Sequence, residues 1–101
     1  MRNLRIAGRR IAGMAAVAIA LSACAGAPVQ EMSDARQAVA AARAAGAAER
    51  AGIELDVATD LLSKAEASLQ RGDYGTARRQ AEQARSHAIN AQKMATTASE
   101  S

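Results

Sequence analysis

The side chains with chemistry to offer are few: a single cysteine, a single histidine and a scatter of carboxylates. Cys24 has no partner for an internal disulfide, which leaves a buried thiol, an intermolecular bridge or a covalent modification. His87 has Gln83, Ala84, Asn90 and Ala91 at three and four residues either side, so its own helix gives it neither a second ligand nor an acid. It reads as a surface or interface histidine. Ser86 and His87 are adjacent in sequence and point in different directions on a helix, so they make no nucleophile pair. Asp56 and Asp60 share a helix face, but without a cleft to raise one pKa they are an exposed acidic stripe. No phosphate loop or dinucleotide fingerprint occurs. We therefore expect no enzymatic reaction, no catalytic residue, no metal, no cofactor and no small-molecule substrate.

The setting of Cys24 decides among its options. Met1 to Arg10 is basic, Ile11 to Ala20 is apolar, and Leu21-Ser22-Ala23 places small residues before the cysteine. That is the three-part layout of an export signal. A membrane-spanning helix needs roughly 20 apolar residues; the run from Ile11 to Ala27 is shorter and is interrupted by Ser22. Leu21, Ser22, Ala23 and Cys24 together resemble the lipobox of bacterial lipoproteins. The resemblance implies cleavage between Ala23 and Cys24, lipid on the Cys24 sulfur and an outer-membrane address, since Ala25 stands where an aspartate would signal retention. Arg9-Arg10 also invites a twin-arginine reading, but Ile11-Ala12-Gly13 lacks the bulky pair that should follow, and Sec export is expected.

Removing residues 1–23 changes the electrostatics. The chain carries 13 Lys and Arg against 10 Asp and Glu, but Arg2, Arg5, Arg9 and Arg10 all precede Cys24. Nine basic residues then face ten acidic ones, a charge of −1 with His87 neutral. The basic footprint of a nucleic-acid binder goes with the signal, and the stacking aromatics are lacking too: there is no Phe, no Trp and one Tyr.

What remains is built for helices. Alanine is the best helix former but removes little apolar area when buried, which favours thin, closely packed helices over a domain with a pocket. Residues 24–32 read as a lipidated tether; the seven from Ala25 to Glu31 reach at most about 25 Å. A first helix is predicted at about 33–50, capped by Ser33 or Asp34, with a stripe of Met32, Ala35, Val39, Ala42 and Gly46. A second, at about 53–71, carries Leu55, Ala58, Leu62, Ala65 and Leu69 in 3-4-3-4 steps, widened by Val57 and Leu61. Gly72-Asp73 ends it, glycine supplying a left-handed residue and aspartate a cap. A third helix, about 74–97, repeats Tyr74, Ala77, Ala81, Ala84, Ala88, Ala91 and Ala95, and residues 98–101 fray. The expected fold is all-α: an antiparallel helical hairpin or small three-helix bundle. Tyr74 is expected to close the hairpin near Leu69.

Gly46-Ala47-Ala48-Glu49, the segment from Leu55 to Leu69, and Arg71-Gly72-Asp73-Tyr74 followed by Ala77-Arg78-Arg79-Gln80-Ala81-Glu82-Gln83-Ala84 resemble a bacterial lipoprotein family known only as a domain of unknown function. The resemblance spans about residues 33–95 and implies an α-helical envelope protein. Some members carry an added peptidoglycan-binding domain like that of outer-membrane protein A, for which these 101 residues hold no counterpart. The chain departs from the family at Gly52, often a proline there. The Gly-Asp-Tyr turn is also similar to the middle of a tetratricopeptide unit, but one copy is too few for a solenoid.

These features predict a lipid-anchored periplasmic protein with a structural or protein-interaction role. Its expected partners are the membrane, through Cys24, and either a second copy of itself or an envelope protein along the first helix's stripe, because so small a core supplies limited stability. Two rivals are a Braun-lipoprotein-like tether to peptidoglycan and an accessory subunit of an envelope enzyme. A continuous helix of about 65 residues would span roughly 100 Å; the Gly72-Asp73 break argues for folding back instead.

Overall fold

The computed structural model describes residues 26–100, and α-helix is the only regular structure among them. Four helices follow in order: α1 (Val29–Ala44), α2 (Ala47–Arg50, a single turn), α3 (Gly52–Gln70) and α4 (Tyr74–Glu100). Met32 and Ala35 near the start of α1 share a cluster with Ala65 late in α3 and with Ala81 and Ala84 early in α4. Val39 and Ala42 further along α1 share another with Leu55 and Ala58 at the start of α3 and with Ala88, Ala91 and Ala95 late in α4. Thus α1 and α4 run parallel and α3 runs antiparallel to both. The fold is a three-helix bundle, all-α as the sequence predicts, with α4 the helix on which α1 and α3 both pack.

The seam of α4 explains this arrangement. Ala77, Ala81, Ala84, Ala88, Ala91 and Ala95 are each fully buried, and their 4-3-4-3-4 spacing keeps them on one side of the helix. Twelve of the fifteen buried apolar residues among the described ones are alanines; Met32, Val39 and Leu55 are the others. A buried methylene contributes about 0.8 kcal/mol, so this core depends on close backbone approach over a long contact. The half-buried Leu61, Leu62 and Leu69 border it. Val57, expected to widen the apolar stripe of α3, is 37% exposed, and Ser68 takes an interior place instead.

Helix boundaries differ from expectation at three points. First, α1 begins at Val29, so residues 29–32 are helical and the tether expected at residues 24–32 is correspondingly shorter. Pro28 is the residue before the first turn, and its carbonyl accepts from Met32 N–H at 3.0 Å. Ser33 and Asp34 lie inside the helix, where they bond to Gln37 and Gln30. Burial of Pro28 and Met32 rewards the extra turn. Second, the helix expected over 33–50 is divided at Gly46, whose φ of +87° ends α1. Third, α4 continues to Glu100 with no frayed stretch through that residue. The segments 52–70 and 74–100 otherwise match the second and third predicted helices closely. Among the described residues no helix is long and apolar enough to cross a membrane.

Candidate functional site

The turn at residues 71–74 is closed by its own backbone hydrogen bonds. Arg71 caps α3, Gly72 adopts φ +78°, Gly72 N–H donates to Leu69 O at 3.0 Å and Asp73 N–H to Ser68 O at 2.9 Å. These two bonds form a Schellman motif, which satisfies carbonyls that a helix end would otherwise leave open. Asp73 serves α4 through its backbone, its carbonyl accepting from Ala77 N–H at 2.9 Å.

The chain's entry lies at this same end. The Pro28 side chain is fully buried, and a methyl placed on Gly26 would lie 3.7 Å from Cδ2 and Cε2 of Tyr74. The one aromatic ring, 41% exposed, therefore packs beside the segment leading into α1. Of the predicted site residues, Gly72, Asp73 and Tyr74 come together here. Leu21, Ser22, Ala23 and Cys24 lie outside the described residues.

Each pair among the three long helices is linked by a polar contact. Ser68 Oγ donates to Gln80 Oε1 at 2.7 Å and accepts from Arg71 Nη2 at 3.1 Å, joining α3 to α4 beside the turn. Arg78 Nε lies 3.4 Å from Glu31 Oε1 between α4 and α1, and Arg36 Nε 3.5 Å from Glu66 Oε1 between α1 and α3. His87 Nδ1 is 2.6 Å from Glu54 Oε1. No buried side-chain nitrogen or oxygen among the described residues lacks a hydrogen-bond partner. The exposed pairs contribute little each, about 0–1 kcal/mol.

The Glu54–His87 pair is the contact that sequence reasoning missed. The acid sits 33 positions away, on the antiparallel helix; neighbours at three and four residues gave no sign of it. The only signal available was that Glu54 and His87 both flank their helices' buried seams. A carboxylate orienting an imidazole is part of a nucleophilic triad, but here the pair bridges two helices at partial exposure. Ser86 shares with His87 an open depression of about 260 Å³, also lined by Arg79, Glu82 and Gln83. Asp56 is exposed, and Asp60 pairs with Lys64 at 3.0 Å, the i,i+4 contact that their spacing predicts. No group of three His, Cys, Asp or Glu suited to a metal occurs among the described residues.

The α1 stripe is also accounted for. Met32, Ala35, Val39 and Ala42 are all at most 2% exposed, covered by α3 and α4 of the same chain. Gly46, expected to continue that stripe, ends the helix instead. The stripe thus belongs to the core and offers no surface to a second copy or another partner. Outward-facing apolar groups lie elsewhere, chiefly Ile53 (85% exposed) at the start of α3, Val29 (67%) at the start of α1 and Met94 (50%) late in α4.

Compared with known proteins, residues 30–101 match the family described as a domain of unknown function, DUF4398. No curated protein and no solved structure matches the chain.

Proposed function

The chain belongs to the DUF4398 family, and from that premise we propose that it is a lipid-anchored helical protein of the bacterial envelope, with a structural or protein-interaction role and no catalysis. The observation that carries this reading is the sequence Leu21-Ser22-Ala23-Cys24 at the end of an apolar run, two residues before Gly26. The folded part starts almost at once after the proposed cleavage point, as expected of a domain held by its first residue. Lipid on the Cys24 sulfur and on the freed amino group supplies two or more acyl chains, which anchor stably where one does not. Ala25 directs the mature protein to the periplasmic face of the outer membrane.

Folding of the helices onto one another favours an interaction module over a rod spanning to peptidoglycan. α4, with 27 residues, is the longest helix and covers about 40 Å, well short of the roughly 100 Å of a continuous helix. Ile53 and Met94 supply apolar contact points that the bundle does not use.

Labelled palmitate should be incorporated into the full chain, and Cys24→Ser should release it from membranes. Continued membrane attachment of the unlabelled variant would sink the anchor reading. For the interaction role, a photo-crosslinker at Ile53 should capture one defined envelope protein in cells. Recovery of the chain covalently bound to purified sacculi would instead establish the tether.

A further inference from the structure

The end of the bundle at which the chain enters is also the end at which any lipid on Cys24 must lie. Cys24 precedes Gly26 by two residues, a reach of at most about 7 Å. Gly26 is held against Tyr74, and Pro28 is fully buried, so little free tether intervenes. An anchor at Cys24 lands beside the α3–α4 turn.

The side chains exposed there suit a headgroup layer. Tyr74 has an apolar ring and a polar tip, the combination enriched at membrane–water interfaces. Arg71 sits at the C-cap of α3. Arg79 lies further along α4, but its side chain folds back towards the helix start: Nη2 donates to Thr76 Oγ1 at 3.2 Å, and Nη1 lies 3.7 Å from where a methyl on Gly75 would sit. This is the direction in which helical side chains lean. Among the described residues the ion pairs engage Arg36, Lys64, Arg78 and His87. Arg71 and Arg79 bond to hydroxyls and, like Arg43, Arg50, Arg85 and Lys93 elsewhere in the bundle, take part in none of those pairs; what singles them out is their place beside the turn that the chain's entry adjoins. Asp73 is the one acid in the turn itself, and Glu31 nearby is matched by Arg78.

We propose that the α3–α4 turn is the membrane-facing end of the bundle, with Tyr74, Arg71 and Arg79 in the headgroup layer and the helices standing end-on from the lipid. This rests on the lipid-anchor reading of Cys24. The C-terminal end of α4, with Met94 and the neighbouring start of α3 bearing Ile53, then projects about 40 Å from the surface, where a soluble partner can reach it.

The test uses the full lipidated chain, purified from membranes and reconstituted in vesicles of phosphatidylethanolamine and phosphatidylglycerol. Gln70→Cys and Ala98→Cys, exposed positions near opposite ends of the bundle, each carry a fluorophore, and a spin label on the lipid headgroups quenches it. Quenching should be several-fold stronger at position 70 than at position 98, and Arg71→Glu with Arg79→Glu should narrow that difference. Equal quenching at the two positions, strong or weak, in a chain that carries palmitate would overturn the end-on orientation and leave the anchor intact. A chain without palmitate, whose Cys24 thiol reacts with maleimide, would remove the anchor reading and this orientation with it.

Discussion

Among the described residues two glycines adopt the left-handed conformation, and they do different work. At Gly72 the chain reverses completely in three residues, through a finished Schellman motif, and the turn is exposed. At Gly46 the reversal is spread over Ala45 to Ala51. α1 ends, a single turn of helix follows, and Ala51 at φ −146° starts α3. Ala47 and Ala51 within it are buried in the same cluster as Val39, Leu55 and Ala91. One junction is determined locally, by its own hydrogen bonds. The other has local bonds too, Gly46 N–H donating to Arg43 O at 3.0 Å, but is also packed into the core. An identical backbone feature can therefore be a self-contained signal at one site and a consequence of tertiary contact at another.

Substitutions can break this contrast. The largest effect should come from Ala47→Leu, which forces extra carbons into a filled site at the packed junction; overpacking of this kind costs about 1–3 kcal/mol. The exposed Gly75 in the first turn of α4, just past the other connection, should tolerate alanine, its added methyl meeting nothing closer than Arg79 Nη1 at 3.7 Å. Urea denaturation of the Cys24→Ser chain, followed by circular dichroism, compares the two. A destabilisation by Gly75→Ala as large as that by Ala47→Leu would erase the distinction.

Next in size, Gly72→Ala and Gly46→Ala should each cost about 1–2 kcal/mol, the penalty of holding an L-residue left-handed. The two costs should be similar, because the Gly46 methyl meets only the flexible end of Arg50 at 3.4 Å, an ordinary contact, and that on Gly72 meets nothing within 4 Å. The same denaturation midpoints measure both.

Ser68→Ala probes the link between the local turn and the α3–α4 interface. It removes the hydroxyl that bonds Gln80 and Arg71 while leaving the backbone carbonyl that accepts from Asp73. A loss of about 1 kcal/mol is expected, at the lower end for an unpaired group because Gln80 is only half-buried. Amide exchange at Asp73 should stay slow if the turn is locally determined; fast exchange there would show that it depends on the interface.

The smallest effect should be a gain. Gly52 opens α3, its φ is not left-handed, and an added methyl meets nothing within 4 Å. Gly52→Ala should stabilise by about 0.4–1 kcal/mol through the unfolded chain, read as a raised thermal midpoint. No gain would mean that the packed junction needs a glycine's freedom at its end as well as at Gly46.

By itself the sequence determined the helices, their seams and one of the two turns, because these follow from interactions within a few residues. Alanine's propensity, the 3-4 spacing from Leu55 to Ala65 and from Ala77 to Ala95, and the Gly72-Asp73 break are all local. The grouping of Gly72, Asp73 and Tyr74 was legible for the same reason. Tertiary structure decided where α1 starts and how the chain continues after it. Segment 29–50 is alanine-rich enough to be helical throughout; burial of Pro28 and Met32 accompanies the early start, while at the other end the left-handed Gly46 stops α1 and Ala47 and Ala51 pack into the core. Tertiary structure also turned the α1 stripe into core rather than interface, brought Glu54 to His87, and put Gly26 beside Tyr74 at the turn. The last two contacts join residues 33 and 48 positions apart, a distance at which periodicity specifies which face of a helix is apolar but not which helix will cover it.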